Sequence, residues 1–273
     1  MARVTPDPRR IAVIAHRGAS EEAPEHSLAA YRRAIEDGAE GLECDVRLTA
    51  DGHLVCVHDR RVNRTSNGRG AVSALELAEL AELDFAARGG DTAGARDGLE
   101  APDVADPERS AVLTLERLLR LVAEADRPVD LAIETKHPTR WAGQVEERLL
   151  ALLDRHPVAG EVRVMSFSAR SLQRVHRAAP ALRTVFLMHF ALPRHRAGRL
   201  PAGVGIAGPS VRMLRRDPGY VERARRAGHQ VHVWTVDEPA DVELCVKLGV
   251  DALITNRPRT VREQLRDLNA GLD

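Results

Sequence analysis

Two carboxylates spaced two residues apart, Glu43 and Asp45, stand shortly before an Asp51-Gly52 pair, and a histidine, His58, follows it. Asp-Gly between two β-type runs is a strong local hairpin signal. The runs here are Arg47-Leu48-Thr49 and Leu54-Val55-Cys56. With Asp51 and Gly52 as the two turn residues, Ala50 faces His53 and Asp45 faces His58. Directly opposed residues share a face of the ribbon, with Cβ atoms about 4.5–5.5 Å apart. Alternation places Glu43 on the face of Asp45 and turns Cys44 to the other side. Local rules therefore gather two acids and an imidazole, a set suited to cation binding and proton exchange.

Two further stretches carry matching groups. Ile11–Ala15 runs into His16-Arg17-Gly18. His16 is an acid/base candidate near neutral pH, Arg17 suits a phosphate or carboxylate fork, and Gly18 permits close backbone approach. Leu131-Ala132-Ile133 ends in Glu134-Thr135-Lys136. Glu134 is a third carboxylate. Lys136 is one of only two lysines, the other being Lys247, among 40 basic residues, and this rarity marks it as a candidate phosphate contact. Glu43, Asp45 and Glu134 offer oxygen ligands without a Cys/His cluster, which suits Mg²⁺ or Ca²⁺ better than Zn²⁺. Metal-assisted attack on a phosphate ester uses such a set: cations neutralise charge on the phosphoryl oxygens while imidazoles move protons.

The elements that must position these groups alternate. Expected strands are Ile11–Ala15, Gly41–Val46, Asp130–Thr135, Val162–Ser166, Thr184–Met188, Val204–Ala207, Val231–Val236 and Asp251–Thr255. Amphipathic stretches lie between them: Ser27–Asp37, Leu113–Ala125, Trp141–Arg155, Ala169–Ala179, Pro218–Ala227, Pro239–Leu248 and Pro258–Leu268. About eight strand–helix units over roughly 250 residues match a (β/α)8 TIM barrel, in which catalytic groups collect at the C-terminal strand ends. An open doubly wound sheet is the alternative. The rhythm breaks over residues 60–112, where a helical piece, Ser73–Ala87, precedes the polar run Arg88–Ser110. This segment is expected to be an insertion or lid, following the hairpin, within a single barrel domain over residues 11–268.

With those residues in place, the chain resembles the glycerophosphodiester phosphodiesterase family. The resemblance rests on His16-Arg17-Gly18, Pro24-Glu25, Gly41 to Val46, Thr49 to Asp59, Asn63-Arg64-Thr65, Leu113 to Glu116, Ile133 to Lys136, Val233-Trp234-Thr235-Val236, and Gly249-Val250-Asp251 through Thr255-Asn256-Arg257-Pro258, in family order. It implies a (β/α)8 barrel that hydrolyses glycerophosphodiesters, such as glycerophosphocholine, to glycerol 3-phosphate and an alcohol with a divalent metal. Carried over by residue, Glu43, Asp45 and Glu134 are similar to the metal ligands and His16 and His58 to the acid/base pair. Arg17 and Lys136 resemble the phosphate contacts, Glu25 a supporting or glycerol-side group, and Trp234 a wall of the substrate pocket. Three departures stand out. His26 replaces the usual Asn of Glu-Asn-Thr and is expected to be an exposed helix-start residue, with Ser27 as N-cap. Thr135 replaces Ile on the side facing away from the site. Asn256 replaces Asp and is expected to affect only the last loop.

Composition narrows the remaining classes. Acids and bases balance, 40 against 40, and hydrophobic residues make up 44% of 273. No net positive field is available for nucleic-acid binding by counterion release. No apolar run is long enough to span a membrane, and Ile11–Ala15 is too short for the apolar core of a signal peptide. Three cysteines, Cys44, Cys56 and Cys245, fit a reducing cytoplasm better than a disulfide framework. Only 8 aromatic residues argue against a carbohydrate-processing cleft. Other readings of the same residues are a phospholipase D-like or lysophospholipid-cleaving barrel and a non-catalytic phosphate-binding barrel. Small-molecule phosphodiesters are the expected partners; oligomeric state is not readable.

Overall fold

The computed structural model describes residues 11–87, 106–139 and 143–270. Most of the expected polar run Arg88–Ser110, and Trp141 at the head of one expected helix, lie outside the described residues. Eight parallel strands close into a barrel: β1 (Ala12–His16), β2 (Gly41–Leu48), β4 (Asp130–Thr135), β5 (Val162–Ser166), β6 (Arg183–Met188), β7 (Ile206–Pro209), β8 (Gln230–Val233) and β9 (Ala252–Thr255). Pairing of β1 with both β9 and β2 completes the ring. A short strand, β3 (Leu54–Cys56), adds antiparallel to the overlong end of β2. This is a (β/α)8 TIM barrel, not an open doubly wound sheet.

Helices α1 (Leu28–Glu36), α2 (Leu77–Ala81), α3 (Pro107–Ser110), α4 (Leu115–Ala123), α5 (Gln144–Arg155), α6 (Ala169–Ala178), α7 (Val211–Arg216), α8 (Tyr220–Arg226), α9 (Pro239–Leu248) and α10 (Pro258–Ala270) follow. Their starts are legible in the chain. Ser27, Thr114, Ser168 and Ser210 accept from backbone N–H groups at the heads of α1, α4, α6 and α7. Helix α7 escapes periodicity because it is short and stops before Asp217-Pro218, where the pre-proline residue disfavours helix. Strand β7 begins two residues later than expected, at Ile206, and β8 ends at Val233. The expected helix Ser73–Ala87 is instead a 3₁₀ turn, Val72–Ala74, followed by α2, because Leu75 is extended and Glu76 caps a new start. Residues 60–87 pack as a cap around Val57, Val62, Val72 and Leu80, with Val55 beneath.

The barrel interior is layered. At its base Arg163 pairs with Asp130 (3.0 Å) and Glu161 (2.6 Å), and Arg183 reaches Glu161 and Gln230. An apolar layer of Ile14, Ala132, Met165, Val185, Ile206, Ala252 and Ile254 lies above. Alternate residues face the helices, including fully buried Cys44. Cys44→Ser is therefore expected to lower stability by about 1–3 kcal/mol, the cost of burying a hydroxyl among apolar groups. Turnover should change far less, since the side chain faces away from the site. Chemical denaturation with parallel kinetics would check this; a collapse in rate with intact folding would refute the assigned face.

His232, on β8, is buried, and its Nδ1 has no hydrogen-bond partner among the described residues. Burial, helped by Arg163 and Arg183, pushes its pKa down to about 3. A base held neutral in the fold but free to charge in the unfolded chain leaves stability intact above pH 6.5 and erodes it as pH falls toward 3. At pH 5 the loss from His232 is about 2 kcal/mol. His232→Gln should flatten the fall in melting temperature between pH 7 and 5. An unchanged slope would acquit this residue.

Candidate active site

The hairpin closes one residue out of the expected register. Cys56 pairs with Val46 and Leu54 with Leu48. The loop is three residues, Ala50 to Gly52, not two. Thr49 causes this: its N–H donates to the His53 carbonyl (2.9 Å), while its hydroxyl oxygen accepts from His53 N–H (2.9 Å) and its hydroxyl donates to Asp51 Oδ1 (2.6 Å). Gly52, at φ +90°, supplies the left-handed residue that closes such a loop. Asp45 therefore lies opposite Val57, whose N–H donates to the Asp45 carbonyl (3.0 Å), and not opposite His58. His58 is the first residue beyond that contact. Arg47 holds its carbonyl through two guanidinium bonds (3.0 and 2.7 Å). That anchor turns the chain so that His58 lines the same cavity as Glu43.

This cavity, of about 240 Å³, opens at the C-terminal strand ends. It is lined by His16, Arg17, Glu43, His58, Glu134 and Lys136 on one side and by Met165, Phe167, Leu187, His189, Trp234 and Ile254 on the other. Asp45 lies just beneath, 1% exposed. In the ladder Glu43 sits beside His16, and Asp45 beside Glu134. Glu43, Asp45 and Glu134 each bring a carboxylate oxygen within 4.8 Å of the others. Burial, then the neighbouring charge of Asp45, pushes Glu134 up to about 8 and raises Glu43 as well. Asp45 is held well below the usual carboxylate range: burial opposes this, but hydrogen bonding by His26 and the charge of Lys136 outweigh it. A buried, oxygen-only triad under mutual repulsion fits a divalent cation, which would discharge it. The Lys136 ammonium is 2.9 Å from Glu134 Oε1 and 3.1 Å from Asp45 Oδ1.

Local chain geometry builds the rest. Arg17 stands at φ +58°, and its N–H reaches both the carbonyl (3.1 Å) and Oε2 (3.1 Å) of Glu43. Gly18 is required next, since a Cβ would lie 2.6 Å from Ala30 backbone at φ +85°. The Arg17 guanidinium lies 3.2 Å from Asp45 Oδ2 and donates to Glu25 (3.1 Å). Glu25 does not line the cavity. Its carboxylate is taken by Arg17 and Arg64, and Arg64 also donates to Asp59, which accepts from His58 Nδ1 at 2.7 Å. A continuous polar chain thus ties His58 to Asp45 through Asp59, Arg64, Glu25 and Arg17. Partial burial lowers the pKa of His58, against the pull of Asp45. Trp234 donates from Nε1 to the Gly208 carbonyl (2.7 Å) and meets Phe167 and His189 edge to face.

Two expectations fail here. His26 is not an exposed helix-start residue. It is 5% exposed, donates from Nε2 to Asp45 Oδ2 (2.9 Å), and lies 2.7 Å from the Tyr31 hydroxyl through Nδ1. Its backbone, at φ +62°, is turned inward by an N–H bond to the Arg17 carbonyl (3.0 Å). Asn256 does more than shape the last loop: its Oδ1 is 2.7 Å from His16 Nδ1. Thr135 does point away, sharing a hydrogen bond with Ser171 behind the sheet. Residues not singled out from sequence include Phe167 and His189, which follow β5 and β6. Their place just past a strand end was the available signal.

Comparison with known proteins bears on the family and the fold. Residues 16–260 match the model of the glycerophosphoryl diester phosphodiesterase family. A Mycobacterium tuberculosis protein named probable glycerophosphodiester phosphodiesterase 1 is 44% identical, covering 93% of this chain and 92% of its own. A glycerophosphodiester phosphodiesterase of Caldanaerobacter subterraneus is 35% identical, covering 93% and 97%. An Oleispira antarctica phosphodiesterase structure, in complex with its product sn-glycerol-3-phosphate, shares the fold at a TM-score of 0.79 and 22% identity, covering 93% and 96%.

Proposed function

We propose, from the premise that this chain belongs to the glycerophosphoryl diester phosphodiesterase family, that it hydrolyses glycerophosphodiesters such as glycerophosphocholine to glycerol 3-phosphate and an alcohol. One observation carries the reading: Glu43, Glu134, His16 and His58 border a single small cavity, with Asp45 just beneath completing an oxygen-only carboxylate triad. The relatives at 44% and 35% identity bear the name of this activity, and the Oleispira structure holds glycerol 3-phosphate.

In this reading Glu43, Asp45 and Glu134 hold Mg²⁺ or Ca²⁺, which when bound supplies positive charge to the phosphoryl oxygens. Arg17 and Lys136 grip the phosphate from either side of Asp45, fixing the phosphorus between the imidazoles. His16 and His58 are the acid/base pair: one takes the proton of the attacking hydroxyl, and the other protonates the departing alkoxide. The attacker is water or the glycerol 2-hydroxyl. Glu25 supports Arg17 instead of touching substrate. Trp234, with Phe167 and His189, forms the apolar wall against carbon atoms of the substrate. The working unit is residues 11–268, with 60–112 an insertion in the sequence after the hairpin. No helix among the described residues is long and apolar enough to cross a membrane. Three buried free thiols agree with a reducing cytoplasm.

A substrate panel tests this. Glycerophosphocholine, glycerophosphoethanolamine and glycerophosphoinositol should release glycerol 3-phosphate in the presence of added metal. Faster cleavage of lysophosphatidylcholine would instead favour a lysophospholipid-cleaving barrel, and no turnover of any member would overturn the reading.

A further inference from the structure

His16 is not held by a neighbouring acid. Its Nδ1 meets the amide oxygen of Asn256 at 2.7 Å, and Asn256 is itself clamped by Asp237. Asp237 Oδ1 accepts from the Asn256 backbone N–H (2.8 Å) and from the Thr255 hydroxyl (2.8 Å), while Oδ2 accepts from Asn256 Nδ2 (2.7 Å). A carboxylate can only accept, so the amide nitrogen must face Asp237 and the amide oxygen must face His16. Ser20 Oγ lies 2.8 Å from the same Oδ1 and 2.9 Å from the His16 carbonyl, two acceptors for its one hydrogen. An amide oxygen can only accept, so His16 Nδ1 must carry hydrogen. The lone pair of a neutral ring is then left on Nε2, which has no hydrogen-bond partner among the described residues, in a side chain that lines the cavity.

We infer that Asp237 and Asn256 are positioning residues that lock His16 in its Nδ1–H tautomer and so assign it the base role of the pair. This rests on the proposed reading of His16 as a proton carrier; what divides the pair is that the Nδ1 of His16 faces a neutral amide oxygen, whereas that of His58 faces the Asp59 carboxylate, which favours the proton-bearing ring. The attacking O–H gives its proton to His16 Nε2 as its oxygen bonds to phosphorus. The bond from phosphorus to the departing alcohol breaks, and its oxygen takes a proton from His58, whose Nδ1 rests on the Asp59 carboxylate (2.7 Å). One proton has then moved from His58 to His16, and exchange with solvent restores the pair. The paired geometry also explains why an amide suffices at residue 256. The acid that orients the ring stands one residue further out, on the segment after β8.

The whole chain labelled with ¹⁵N-histidine reads the tautomer directly, with His16 signals assigned by their loss in His16→Ala. In the unmodified protein at neutral pH, His16 should show a protonated Nδ1 and an unprotonated Nε2; the opposite tautomer overturns the proposal without any variant. Asp237→Asn presents an amide nitrogen to Asn256 and should flip it, moving His16 toward the Nε2–H form. kcat on glycerophosphocholine should drop about 10²-fold, with KM within about threefold. Asp237→Asn combined with Asn256→Asp exchanges the two groups and restores an acceptor at His16, so tautomer and at least a tenfold gain in kcat should return. Unaltered kcat and tautomer in Asp237→Asn, or a double variant no better than the single, would refute the relay. If Asp237→Asn does not fold, the tautomer of the unmodified protein still decides. If His16→Ala keeps its turnover, the proposed acid/base role fails, while the tautomer measurement stands by itself.

Discussion

Replacing His16 or His58 with alanine is expected to reduce turnover of glycerophosphocholine by about 10³-fold or more in each case, within the range that positioned proton transfer supplies. Melting temperatures should stay within a few degrees of the unmodified protein. The ladder that carries His16 is closed by backbone bonds from β1 to β2 and β9, which do not depend on the ring. His58 is partly exposed, and its loss leaves the Asp59–Arg64 pair (2.7 Å) in place. Loss of activity with retained folding is what separates a catalytic imidazole from a structural one. Substantial remaining activity in either variant, assayed by glycerol 3-phosphate release, would remove that residue from the pair.

Chelation is expected to have an equally large effect. EDTA should abolish activity, and Mg²⁺, Ca²⁺ or Mn²⁺ should restore it, because Arg17 and Lys136 alone leave the acidic triad without a compact dication between phosphate and protein. The metal-free protein should also melt at a higher temperature on addition of the cation. Glu43 and Glu134 are raised by burial and by their acidic neighbours, and a ligand binding only the folded chain stabilises it by about 2.7 kcal/mol at a hundred times its Kd. Asp45→Asn should abolish this thermal shift. It should also cost about 1–3 kcal/mol, since it takes the charge from the shared partner of Lys136, Arg17 and His26 and leaves Lys136 with Glu134 alone and Arg17 with Glu25 alone. Activity indifferent to EDTA, together with no thermal shift, would take the metal out of the reaction.

The hairpin shows how a site can be legible for an incomplete reason. Glu43 and His58 do border one pocket, with Asp45 just beneath it, yet strand pairing does not oppose Asp45 and His58. Thr49 lengthens the turn by one residue, and Arg47 then steers His58 back by its carbonyl. A one-residue slip normally sends a side chain to the opposite face; here the ladder has ended before residue 58, so the slip is harmless. His26 misled because a polar residue just before an N-cap is usually solvated, whereas its left-handed backbone turns the ring onto Asp45. Asn256 misled because residue 16 and residue 256 meet only when the barrel closes.

What the chain determines by itself is whatever has a short period or a fixed position relative to a strand. The alternation of strand and helix, the shared face of Glu43 and Asp45, the outward Thr135, and the helix caps at Ser27 and Thr114 all follow from φ/ψ preferences and side-chain spacing within a few residues. Closure of the barrel decides the rest. It sets Glu134 beside Asp45, brings Phe167, His189 and Trp234 from three strand ends into one wall, and joins Asp237, Asn256 and His16 across 240 residues between the last two. Those pairings depend on which strands become neighbours, a property of the ring of backbone hydrogen bonds that no local segment contains.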